Sequence, residues 1–103
     1  MAIDIFCYAA KEVEVVNRLM TELQGKEVSY FSSDFIVSPI KEAAEVHREI
    51  ADEQGLKNAK CLFLIRLNNK ERASEIIEVA KLVRDCLGPS EVLLLIENEN
   101  EIR

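Results

Sequence analysis

The chain has 103 residues, 49% of them apolar, with three glycines and two prolines, which is enough for one domain with its own core and excludes a disordered chain. Its formal net charge of −6 and isoelectric point near 4.8 argue against nucleic acid or an anionic membrane as partner, since both select basic surface. A basic protein partner fits this charge, and so does plain solubility.

The three cysteines, Cys7, Cys61 and Cys86, are odd in number and lack CxxC spacing. They read neither as a disulfide framework nor as a zinc site, and each sits among apolar residues as a small buried hydrophobe would. Asp4 interrupts the opening apolar run, so a signal peptide is not expected, and no run of about 18 apolar residues spans a membrane. The expected compartment is the cytoplasm.

Residues 2–8 alternate, with Ile3, Ile5 and Cys7 facing one way and Asp4, Phe6 and Tyr8 the other, which predicts a strand. A helix is expected from about Lys11 to Gln24, its apolar stripe made of Val13, Val16, Leu19, Met20 and Leu23, with Gly25 as the residue past its end. The stretch 26–38 reads as turn or strand, with Phe35 to Val37 as its clearest strand. Ser38-Pro39 predicts the cap and first residue of a second helix reaching Gln54 and stopping at Gly55.

Ala59 to Leu67 is a near-continuous apolar run, as in a central strand covered on both faces. Asn68 and Glu71 have capping-box spacing for a third helix, which carries Ala73, Ile76, Ile77, Ala80, Val83 and Leu87 and ends at Gly88-Pro89. Val92 to Ile96 is a last apolar strand. The order β-α-β-α-β-α-β predicts a single α/β domain over residues 1–103, with a mostly parallel four-stranded sheet in the order 2-1-3-4 and a short acidic tail from about residue 97. The alternative is an α+β fold with an antiparallel edge strand.

Candidate chemistry is sparse. Ligands of open parallel sheets bind beyond the carboxyl ends of the strands, but none of the expected βα turns there contains the glycines of a phosphate loop. Cys7 would end the first strand before a helix, where the dipole favours a thiolate. Small phosphotransfer domains of sugar-transport systems are similar in length and carry a phosphorylated cysteine at this point. The residues that follow here, Tyr8-Ala9-Ala10-Lys11, lack the small, Gly- and Ser-rich anion loop of that chemistry. A thiol enzyme using Cys7 is therefore an alternative only. His47, the one histidine, falls in line with Ile40, Ala43 and Ala44 and reads as a packed helix residue. No residue calls for a cofactor or a metal.

Acid is the more informative signal. Glu42, Glu45, Glu49, Asp52 and Glu53 recur at helical spacing opposite the apolar side, with Lys41 and Arg48 placed to pair with Glu45 and Asp52. Glu97, Glu99 and Glu101 would share one side if they continued the last strand. By contrast, residues 58–90 carry six basic and four acidic residues. These eight acids are the expected partner-binding residues of a non-catalytic protein. A homo-oligomeric structural module is the other alternative.

The opening Met1-Ala2-Ile3-Asp4-Ile5-Phe6-Cys7-Tyr8 and the segment Phe35-Ile36-Val37-Ser38 resemble small immunity proteins of contact-dependent growth inhibition toxin–immunity pairs. That resemblance implies an inhibitor that covers the active or substrate-binding surface of a basic, nuclease-type toxin. Acidic groups would then mimic nucleic-acid phosphates and speed encounter.

Overall fold

A computed structural model describes residues 3–31 and 34–96 and the backbone of residues 100–101. The elements are β1 (Ile3–Ala9), α1 (Val13–Lys26), α2 (Val28–Phe31), β2 (Phe35–Val37), β3 (Lys41–Glu42), α3 (Glu45–Glu53), β4 (Cys61–Leu67), a 3-10 turn (Lys70–Glu75), α4 (Ile76–Leu87), β5 (Val92–Ile96) and β6 (Asn100–Glu101).

The sheet is antiparallel, which overturns the expectation of a mostly parallel sheet and bears out the α+β alternative. Strand order is β2-β4-β1-β5-β6, with β3 also on β4. β1 lies between β4 and β5 and runs against both, Cys7 facing Phe63 on one side and Leu94 on the other. β1 and β2 are thus parallel with β4 between them, and β4 and β5 are parallel with β1 between them. The crossovers through α1 and α4 each skip one strand, the split βαβ arrangement of ferredoxin-like folds, whereas α3 joins β3 to its antiparallel neighbour β4. Strict alternation of strands and helices fits this topology as well as it fits a parallel sheet.

β2 and β3 form one broken edge strand. Val37 faces Ile65, whereas Lys41 faces Leu62. The register therefore slips by one residue between them, and Ser38-Pro39-Ile40 stand opposite Phe63 and Leu64 as a bulge. Proline is tolerated there because an edge strand need not donate. Ser38 N–H donates to the Leu64 carbonyl at 2.8 Å, and Leu64 N–H donates to Ser38 Oγ at 2.8 Å. Ser38 belongs to the bulge between β2 and β3 rather than to a helix cap, and the second helix begins at Glu45, not at Pro39. Glu42 consequently lies on an edge strand.

The sheet has two unequal faces. Ile5, Cys7, Ala9, Phe63, Ile65 and Leu94 pack on one of them against Val16, Met20 and Leu23 of α1 and Val79, Val83 and Leu87 of α4. The other face carries Tyr8, Leu93 and Leu95, covered by Ala51 of α3 with Leu56 and Ala59. Two helix ends depart from expectation. α1 runs through Gly25, which lies inside it. The helical segment after β4 is capped by Asn69 rather than Asn68, its side chain accepting from Glu71 N–H at 3.0 Å. Gly88 ends α4 with φ 101°, as expected of a glycine there.

Candidate partner-binding surface

The surface is built around α3. Ala43 N–H donates to the Lys60 carbonyl at 2.9 Å, tying the start of the helix to the entry of β4. Ala44, the N-cap residue, has no side chain that could accept a hydrogen bond. His47, three residues on, covers the cap from the other direction, its Nδ1 accepting from Ala44 N–H at 3.1 Å. Glu45 in the first turn favours the positive end of the helix. At the far end Leu56 N–H donates to the Ala51 carbonyl at 2.9 Å, turning Leu56 under the helix.

Glu42, Glu45, Glu49, Asp52 and Glu53 are all exposed. Glu45, Glu49 and Asp52 line a shallow depression of about 360 Å³ together with Arg48, Lys57 and Asn58. Glu42 stands on β3 and Glu53 at the last helical residue; neither lines that depression. Among the described residues none of the five makes an ion pair. The Lys41–Glu45 and Arg48–Asp52 pairs expected from spacing do not form. Instead Arg48 Nη2 donates to the Ala43 carbonyl at 3.3 Å. Other acids are engaged: Asp4 with Arg66, Glu12 with Lys60, Asp34 and Glu75 with Arg72, and Glu91 with Lys11.

Of the expected tail acids, Glu97 and Glu99 lie outside the described residues. Asn100–Glu101 runs back along β5, Glu101 facing Leu95, so it does not continue that strand.

Cys7 is not placed for nucleophilic chemistry. It lies two residues inside β1, fully buried, and burial pushes its thiol well above the usual range. Burial, then the nearby Glu12 carboxylate, pushes the Cys61 thiol up to about 11. Both are free cysteines: Cys61 faces Ala9 and Cys7 faces Phe63, so they are diagonal rather than opposed. Among the described residues no group of His, Cys, Asp and Glu is gathered for a metal ion, no charged side chain is buried, and no helix is long and apolar enough to cross a membrane.

A second flank of α3 is not legible in the sequence. Leu62 and Leu64, expected in a strand covered on both faces, are only half-buried, as is Phe6 beside them. Their only sequence signals are the alternation of β1 and the apolar run of β4, which mark strands but not what covers each face.

Three likenesses stand beside this geometry. The family model described as CDI System Immunity Component matches residues 1–100. The chain is 33% identical over 99 residues to the immunity protein CdiI-2 of Burkholderia pseudomallei strain 1026b, covering 96% of this chain and 97% of that protein. A chain of the solved CdiA-CT/CdiI toxin and immunity complex from Burkholderia pseudomallei superposes with a TM-score of 0.93 at 31% identity, covering 98% of this chain and 97% of that one.

Proposed function

Because the chain belongs to the family of CDI system immunity components, we propose that it binds and neutralises the toxin domain of its own contact-dependent growth inhibition system in the cytoplasm. The observation that carries this is the likeness over nearly the whole chain to a chain of a toxin and immunity complex. The mechanism is binding rather than catalysis. The docking surface is the acid row Glu42, Glu45, Glu49, Asp52 and Glu53, extended by Glu97, Glu99 and Glu101 of the tail. The target is a basic, nucleic-acid-cleaving toxin whose phosphate-binding surface the acids cover.

Physical support comes from the free state of the row. A carboxylate already held by an arginine has little left for a partner, whereas these five exposed acids make no ion pair among the described residues and, although Arg48 and Lys57 share their depression, stay available for steering a basic surface. Steering of this kind raises association rates by roughly 10- to 1,000-fold at low salt.

The test is to mix the protein with the cognate CdiA-CT toxin domain at low salt. The expected result is a 1:1 complex on gel filtration and stoichiometric loss of nucleic-acid cleavage. Separate elution would reject the immunity reading. A complex with a toxin that does not cleave nucleic acid would keep that reading and reject the nuclease target.

A further inference from the structure

Against the flank of α3 away from its acid-lined depression lies an open groove of about 330 Å³. Phe6 of β1, Leu62 and Leu64 of β4 and Pro39 of the bulge form its apolar wall, and His47, Glu42 and Lys41 also line it. It exists because α3 is nine residues long and spends its buried side on the Tyr8 and Leu93 end of the sheet. Further along the same face, Ile36 of β2 is 48% exposed opposite Arg66. The Ser38-Pro39-Ile40 bulge bends the edge strand here, and Ser38 holds it to Leu64 on both sides.

We propose that this groove receives one large apolar side chain of the toxin domain, as the anchor of an interface whose acid row supplies steering and rim. The inference rests on the immunity reading. Glu42 links the two regions, since it opens the acid row and also lines the groove. A basic partner seated on the row therefore passes directly over the groove. Interfaces of this kind draw most of their affinity from a few desolvated anchors, while rim charges act on encounter. His47 adds a polar fix: with Nδ1 occupied by Ala44 N–H, the neutral ring carries its proton on Nε2 and offers a donor to the partner. An anchor with an acceptor near its tip, such as tyrosine, matches a groove of apolar walls whose lining also brings the donors of His47 and Lys41.

The experiment compares Leu64→Ala and Ile36→Asp with the wild type against the cognate CdiA-CT domain, reading Kd across salt concentrations and Tm for folding. The expected result is about tenfold weaker binding for Leu64→Ala with an unchanged salt slope. In a complex of the labelled wild type, the Leu62 and Leu64 methyl groups should show NOEs to a toxin side chain, a readout independent of variant folding. Wild-type binding with unaltered Kd in both folded variants and no such NOEs would overturn the groove while leaving the immunity reading standing. Absence of wild-type binding would overturn both. A self-association of the chain alone that Ile36→Asp abolishes, with toxin binding unchanged, would assign the groove to a second copy and overturn the proposal.

Discussion

Arg72 in the 3-10 turn and Asp34 at the head of β2 meet in a 3.0 Å ion pair although 38 residues separate them. The same guanidinium donates to Glu75 at 2.6 and 2.9 Å and to the Ser29 carbonyl at 2.7 Å. It also lies over the rings of Tyr30 and Phe35, 5.1 and 5.7 Å from their centroids. One side chain thus fastens α2, β2 and the turn before α4. Lysine cannot reproduce the fork or the stacking. Arg72→Lys is therefore expected to lower Tm by several degrees in thermal unfolding, with Asp34→Asn losing less because Glu75 and the rings remain. An unchanged Tm for Arg72→Lys would contradict the fastening role.

Two carboxylates contribute to the acid limb of stability. The Arg66 guanidinium, bonded to Asp4 at 2.8 and 3.1 Å, holds that carboxyl below its ordinary 3.8. Arg72 holds Glu75 below its ordinary 4.5. A group depressed in the folded state binds its proton more readily when unfolded, so it contributes stability above the ordinary value and loses it as pH falls through the folded value. Tm should be nearly flat above about pH 5 for these two groups and fall from about pH 4.5 downward. Asp4→Asn and Glu75→Gln should each make that fall shallower. Variants with the wild-type slope would contradict the assignment.

Two of the three glycines give opposite expectations. Gly25 lies inside α1, exposed, with nothing within 4 Å of an added Cβ. Gly25→Ala should stabilise by roughly 0.5–1 kcal/mol through helix propensity. Gly88 has φ 101°, and an added Cβ would meet only ordinary contacts with Glu91, the nearest at 3.7 Å. Gly88→Ala should destabilise by about 1 kcal/mol or more, the cost being backbone strain alone. Urea titrations of both variants check the signs.

Thiol reactivity should follow burial. Cys86 is half-buried, and burial, set against nearby Lys26, raises its thiol. Cys7 and Cys61 are buried, with thiols raised by burial. Labelling of the native protein near pH 8 should modify Cys86 first, and Cys7 only at the rate of unfolding. Rapid native labelling of Cys7 would contradict its placement and reopen a thiol chemistry.

Strands β1, β2, β4 and β5 and helices α1 and α4 are legible in the sequence, because period 2 or a continuous apolar run marks the first set and a stripe at helical spacing marks the second. Strand neighbours are not. The alternation of Ile5, Cys7 and Ala9 with Phe6 and Tyr8 reports which face each residue uses, and this is the same whether β4 runs with β1 or against it. Ser38-Pro39 misled for a related reason. Serine before proline suits a helix start and equally suits a bulge on an edge strand, and only the Leu64 backbone, 26 residues away, decides between them. The Arg72 cluster was invisible because its partners come from residues 29–35 and 75. Glu45, Glu49 and Asp52 were legible as one helix face, whereas Glu42 was assigned to that helix and stands on β3.

The measurement that bears most directly on the central claim is the Kd for the cognate CdiA-CT toxin domain as a function of salt, for the wild type and for Glu45→Gln, Glu49→Gln, Asp52→Asn combined. The expected result is tight wild-type binding that weakens as salt rises. The triple variant should bind about tenfold more weakly at low salt and converge with the wild type at high salt. Equal affinities and equal salt slopes would contradict docking through the α3 acids, and no binding by the wild type would contradict the immunity function itself.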